Sequence, residues 1–287
     1  MTILITGSNG FIGKKLTEYL SNVFPEFKHY GWLRSYGQLN IENFQLQFGH
    51  QLQIDKVVHL AGNSKIIESW EQPHPYLIEN PELTLDALEF CKAQNADLVF
   101  ISSYLYGNTK NLPIDELEPV ELTSPYSYGK FSAETLCKFY SDNYKLNCTI
   151  LRPFNIYGPG QDPYFLLPKI ARQLKDSSSD EISVHNLLTK RDYVYIDDFC
   201  EAIFLSLKTQ LVFEIINIGS GVSVSTENII AELSQIAGHQ KPINSLELYR
   251  KNEIMDVVAD IRKAKHCLNW QPKTSLSQGL KFLYEAL

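Results

Sequence analysis

Ile3-Leu4-Ile5-Thr6-Gly7-Ser8-Asn9-Gly10-Phe11-Ile12-Gly13 is the stretch that decides how this chain folds. Three apolar residues lead into glycines spaced G-x-x-G-x-x-G, and Ile12, Leu16, Tyr19 and Leu20 then recur at helical intervals. A short run that is apolar throughout reads as a strand buried on both faces, the signature of a parallel sheet. Glycine lets the chain turn sharply at the strand end and lets a diphosphate approach the backbone amides. The last glycine lets helix and strand pack closely, and the helix N-terminus favours negative charge. Gly7, Gly10 and Gly13, with Asn9, Phe11 and Ile12 between them, form a candidate dinucleotide cradle.

Outward from that turn the pattern repeats. Val57–Leu60, Leu98–Ile101 and Cys148–Leu151 read as further buried strands. Leu83, Ala87, Phe90 and Cys91, then Ala133, Leu136, Cys137 and Tyr140, mark helices between them. Strands alternating with helices predict an α/β fold with a doubly wound parallel sheet. After the last of these strands, Pro153, Pro159, Pro163 and Pro168 break the regularity. Phe213–Ile218 fits another strand, and Ile229, Ile230, Leu233, Ile236 and Ala237 fit a helix stopped by Gly238. The expected division is a dinucleotide-binding unit over 1–152 and a smaller lobe over 153–287, with roughly 182–218 returning to the first sheet.

Composition narrows the function classes. The net charge of −7 and the lack of a long basic block argue against nucleic acid and acidic membrane surfaces as partners. No apolar run reaches the roughly 18 residues of a membrane span, and the N-terminus shows no basic lead. The five cysteines form no C-x-x-C pair, so neither a metal site nor a disulfide framework is expected. A cytoplasmic setting is the expectation.

The second strand of a dinucleotide fold commonly ends in an acid that holds a ribose 2′-hydroxyl. Tyr30-Gly31-Trp32-Leu33-Arg34-Ser35 offers no such acid, and Arg34 stands where a guanidinium could meet a 2′-phosphate. That points to NADP(H) as the preferred cofactor, with NAD(H) possible. Tyr126 and Lys130 lie four apart, on one face of a helix. An ammonium beside a phenol would lower the phenol's pKa and make Tyr126 a proton donor or acceptor. Ser102 and Ser103 close a strand at the sheet edge where ligands gather, and either hydroxyl could share a substrate oxygen with Tyr126. His59, inside a buried-type strand, reads as structural.

Taken in order, these pieces resemble the extended short-chain dehydrogenase/reductase family, in its nucleotide-sugar epimerase, dehydratase and reductase branch. The resemblance rests on the glycine turn, His59-Leu60-Ala61-Gly62, Ser102 through Gly107, and Tyr126 through Lys130. It also rests on Arg152-Pro153-Phe154-Asn155-Ile156-Tyr157-Gly158-Pro159-Gly160, on Arg191 through Asp198, and on Asn217 through Gly221. It implies a Rossmann-type sheet and a Ser-Tyr-Lys triad, with Ser102 first and Ser103 second for the hydroxyl. Leu60, Ala61, Gly62, Asn80 and Pro153 would line the cofactor, and Asn40-Ile41 would lie beside the adenine. Ser103, Asn155, Arg191, Arg250 and Glu253 would hold a nucleotide-diphosphate sugar, and the expected assembly is a homodimer.

Sugar-nucleotide 4,6-dehydratases of this family carry Asp-Glu just after the catalytic hydroxyl. Ser103 and Tyr104 stand there instead, so dehydration is disfavoured. The expected reaction is reduction by NADPH of the 4-keto group of a nucleotide-linked 4-keto-6-deoxy sugar, with Tyr126 as general acid. A nucleotide-sugar 4-epimerase remains open, as does a dinucleotide-binding protein without catalysis.

Overall fold

Parallel strands in the order β2-β1-β3-β4-β5-β9 form the main sheet among the described residues, which are 1–109, 111–178, 180–248 and 253–287 of a computed structural model. In chain order the strands are β1 (Thr2–Thr6), β2 (Lys28–Trp32), β3 (Lys56–His59), β4 (Asp97–Ile101), β5 (Cys148–Pro153) and β6 (Asn155–Tyr157). They continue as β7 (Ile182–Val184), β8 (Lys190–Tyr195), β9 (Phe213–Ile218), β10 (Ser223–Ser225), β11 (Ile243–Ser245) and β12 (Asp256–Val257). The helices are α1 (Phe11–Val23), α2 (Ile41–Phe48), α3 (Ile66–Glu71), α4 (Asn80–Gln94) and α5 (Pro125–Tyr144). Beyond these come α6 (Leu166–Lys175), α7 (Ile196–Lys208), α8 (Thr226–Ala237), α9 (Arg262–Leu268) and α10 (Leu276–Glu285).

The chain leaves β1 for β2 on one side and then crosses back to β3 on the other. The helices following β1 and β3 therefore diverge, and a crevice opens at the carboxyl ends of these strands, where ligands bind in doubly wound sheets. Both faces of the sheet are covered. Ile3 and Ile5 point into a core shared with Leu16 and Leu20 of α1 and Phe199 and Ile203 of α7. Leu4, between them, points into a second core with Phe44 of α2, Ala87 of α4 and Cys137 of α5. A strand with an apolar partner on each face has no polar position to offer, which is why its sequence shows no alternation. On α4 the expected positions Ala87, Phe90 and Cys91 are buried, joined by Thr84 and Leu88, while Leu83 is exposed.

The rest of the chain is assembled around β8, which pairs with β6, β10 and β12, while β7 pairs with β11. Within 182–218, α7 packs beside α1 and β9 lies against β5. β7 and β8 build these small sheets instead of returning to the large one. Two buried carboxylates tie the lobe together. Asp192, fully buried, accepts from the backbone N–H of Ser220 (2.6 Å), Gly221 (3.0 Å) and Ala259 (3.0 Å) and from the Ser220 hydroxyl (2.7 Å). Asp198 accepts from the N–H of Lys273 (3.1 Å) and Thr274 (2.9 Å), which fixes the segment entering α10.

Candidate active site

The glycine turn is closed to any other residue at two of its three glycines. Gly7 has φ +69°, and a β-carbon there would sit 2.8 Å from the Ala61 nitrogen. A β-carbon on Gly13 would sit 2.4 Å from the Gly7 carbonyl and 2.6 Å from Ser8 Cα. The turn is thereby pressed against the loop that leaves β3. Gly10 is the N-cap of α1 and brings no side-chain acceptor, and the first turn holds no acid. The leading amides of α1 are left for an external acceptor, which suits a diphosphate. Phe11 and Ile12, the first residues of α1, lean on the sheet's core, and exposed Asn9 rims the groove beside the turn.

The loop after β3 is held from both ends. Thr6 Oγ1 accepts from the Ala61 N–H (3.2 Å) and bonds His59 Nδ1 (2.8 Å), and His59 Nε2 meets Thr84 Oγ1 (3.1 Å). Burial pushes the His59 pKa down to about 3, so the ring is neutral and structural. Asn80, expected beside a ribose, clamps this loop: its Oδ1 accepts from the Asn63 N–H (2.8 Å) and its Nδ2 donates to the Asn63 carbonyl (3.0 Å). At Gly62, which has φ +144°, a β-carbon would fall 3.0 Å from the Oδ1 of that carboxamide. Asn40, expected beside an adenine, caps α2 by accepting from the Asn43 N–H (2.8 Å), and Ile41 opens that helix. Leu60 packs on the core, and Pro153 closes β5 opposite Ile218.

Tyr126 and Lys130 sit on the first turns of α5, which a Ser124–Ser127 capping box and Pro125 start at a defined residue. Gly129 between them lets α5 lie against the π-helical turn Pro75–Glu79, where a β-carbon would fall 1.9 Å from the Tyr76 carbonyl. The ring of Tyr76 meets that of Tyr126 edge-on at 6.4 Å. The expected lowering of the Tyr126 pKa does not occur. Burial of the phenol pushes it up to about 12, against a hydrogen bond with the Ser103 hydroxyl that pulls it down. Lys130 donates to the Ile101 carbonyl (2.7 Å) and lies over the Phe100 ring, and burial lowers its pKa to about 8.

Of the two serines, Ser103 is the one whose hydroxyl acts on the Tyr126 phenol, pulling its pKa down against the effect of burial. Ser102 Oγ is buried and has no partner among the described residues. Adjacent residues leaving a strand face opposite ways, so the two hydroxyls meet different surroundings. Tyr104 stacks on Phe154 (5.1 Å), a platform that the sequence reading did not include.

In the lobe, Asn155 Nδ2 donates to the Asp192 carbonyl (2.9 Å) and holds β6 beside β8. Arg191 pairs with Glu253, and it also donates to the carbonyls of Lys190 (2.8 Å) and Ile254 (2.6 Å). The structure thus brings two expected substrate residues together, while Arg250 lies outside the described residues. Arg34 has an acidic neighbour after all: Glu79, distant in sequence, stands 3.6 Å from its guanidinium. Behind the site, Arg152 makes a buried bidentate pair with Glu134 (3.0 and 2.6 Å) and lies over the Tyr106 ring. Periodicity could not show this pair, because Glu134 occupies an inward position that a helical stripe assigns to an apolar residue.

Comparison with known proteins agrees with this geometry. The family model described as NAD dependent epimerase/dehydratase family matches residues 3–219. The UDP-glucuronate 4-epimerase of Thermodesulfobacterium geofontis is 29% identical, covering 97% of this chain and 93% of its own. The GDP-6-deoxy-D-mannose reductase of Pseudomonas aeruginosa is 26% identical, covering 97% of this chain and 94% of its own. The structure of RMD from Pseudomonas aeruginosa complexed with NADPH superposes with a TM-score of 0.90 at 26% identity, covering 99% of this chain and 98% of that one. With the glycine turn, the Tyr126–Lys130 helix and a match over most of its length, the chain belongs to the NAD-dependent epimerase/dehydratase family.

Proposed function

We propose that the protein reduces the 4-keto group of a nucleotide-linked 4-keto-6-deoxy sugar, using NADPH. The observation that carries this reading is Tyr126: a phenol kept protonated by burial, with the Ser103 hydroxyl acting on it, on the helix that Lys130 anchors to the last residue of β4. A reductase needs a proton for the oxygen of the carbonyl it reduces, and a phenol with a pKa near 12 holds that proton at neutral pH. Ser103 orients the hydroxyl and offers a second hydrogen bond to the same oxygen. Lys130, anchored on Ile101, sets its charge beside the site and is placed to hold ribose hydroxyls. NADPH, when bound, supplies the hydride.

Gly7, Gly10 and Gly13 would hold the cofactor diphosphate, since the turn gives up its side chains to backbone approach. Arg191 and Glu253, paired at the lobe's edge, would meet the sugar nucleotide's diphosphate and ribose, with Asn155 holding β8 in place. Neither Ser103 nor Tyr104 can supply the carboxylates of a dehydratase, and Tyr104 is occupied by its stack on Phe154.

Absorbance of NADPH tests the proposal when it is mixed with a panel of UDP-, GDP- and dTDP-linked 4-keto-6-deoxy sugars. Loss of absorbance with formation of the reduced sugar is the expected result. A 4-epimerase, the reading favoured by the UDP-glucuronate 4-epimerase relative, would interconvert sugars with no net loss. A non-catalytic binder would do neither.

A further inference from the structure

The reading of NADPH as cofactor leaves open which residue recognises its 2′-phosphate. We infer that Lys14, on the first turns of α1, selects the 2′-phosphate together with Ser8, and that Arg34 does not; the inference rests on the cofactor choice above.

A groove of about 400 Å³ lies where the carboxyl ends of β1 and β2 meet the start of α1. Ser8, Lys14, Thr17, Gly31, Leu33 and Tyr36 are among its lining residues. Its floor exists because Gly31 has no side chain: a β-carbon there would meet Ser8 Oγ at 2.4 Å. The Ser8 hydroxyl therefore sits over the end of β2, where a ribose held by the glycine turn would lie. Leu33 lines the wall that an acid occupies in an NAD-selective site. A free 2′-hydroxyl would find no carboxylate acceptor there, since none of the lining residues is acidic.

A phosphate finds the opposite. Lys14, exposed, lines the groove as its cationic residue, Ser8 lines it with a hydroxyl, and the N-terminus of α1 adds its partial positive charge. The neighbouring Lys15 is turned away and committed to Glu18 (3.2 Å) and Asp197 (3.6 Å), so the two lysines face different tasks. Arg34 lies beyond the groove: its side chain is 93% exposed and paired with Glu79. Arg34 is not among the residues that line the groove, whereas Lys14 is.

Calorimetric titration of the full chain with NADPH and NADH decides the matter. Lys14→Ala should weaken NADPH by about ten- to a hundred-fold, the scale of a charge-assisted hydrogen bond. It should leave NADH affinity unchanged, and Lys14→Arg should keep the preference for NADPH. Arg34→Ala should cost clearly less than Lys14→Ala. If Arg34→Ala carries the loss, or if Lys14→Ala weakens both nucleotides equally, the assignment to Lys14 is wrong while the choice of NADPH stands. If the wild-type protein binds NADH more tightly, the cofactor reading itself fails and the inference falls with it.

Discussion

The glycine turn and the lobe around β8 handle charge by opposite means. The turn presents backbone: glycines packed against Ala61 and Ser8, open amides, and no side-chain cap. The lobe presents side chains: Asp192 gathers amides from residues 220, 221 and 259, and Arg191 reaches across to Glu253. Backbone recognition requires residues that are absent, and it is local. Side-chain recognition requires partners that are present, and those partners are far apart in sequence. The first kind therefore leaves a compact trace in one stretch of chain, and the second leaves almost none.

Substitutions can break or sharpen that contrast. The largest effect should come between the two regions, at Tyr126. Tyr126→Phe removes one hydroxyl and should cut kcat by roughly 10²–10⁴ while NADPH affinity stays near wild type. Full activity in the variant would take the proton transfer away from this residue. Glu134→Gln leaves Arg152 buried without its counter-charge and should cost about 3–5 kcal/mol in urea unfolding. A loss below about 1 kcal/mol would mean that the pair behaves like a surface bridge.

Asp192→Asn tests the lobe's own device. An amide nitrogen would replace one carboxylate oxygen and face the N–H donors that it accepts from. The expected destabilisation is about 1–3 kcal/mol. The carboxylate's pKa is raised by burial against the pull of its hydrogen bonds, so its ionised form is the less favoured one in the fold. Wild-type stability should therefore include a component that falls as pH rises from the ordinary aspartate value through the raised one, and the variant should lack it. Arg191→Ala should raise KM for the nucleotide sugar by about ten-fold, the loss of one charge-assisted contact, with NADPH affinity unaffected. An unchanged KM would return Arg191 to a purely structural pairing with Glu253. The gentlest test is pH alone. Lys130 loses its charge above about pH 8, so kcat/KM should be halved near that pH and fall further beyond it. A flat profile to pH 10 would show that this ammonium is not used.

Much of the large sheet was legible in the sequence. Buried strands repeat as short apolar runs, and the glycine spacing marks where the first helix must come close. The Tyr126–Lys130 spacing was legible too, though not its electrostatics: burial around the phenol outweighs a neighbour's charge, and burial is set by Tyr76 and the π-helical turn, far away in the chain. Asn40 could have been read as a cap, since a carboxamide directly before a helical apolar pattern fits that role. Asn80 could not, because its partner is a loop backbone at Asn63. The Arg34–Glu79 contact was hidden for the same reason.

The strand order carries a consequence for how the molecule is made. β9 lies beside β5, yet β6, α6, β7, β8 and α7 are all translated between them. At roughly 5–20 residues per second, a ribosome leaves that edge of the sheet without its neighbour for several seconds or more. Throughout that interval the nascent chain exposes a row of unpaired backbone donors and acceptors along Cys148–Pro153, a surface on which another chain can add as a strand. The vulnerable moment in this protein's life is set by its topology, before any ligand is met, and a truncation that stops short of Phe213 would make that moment permanent.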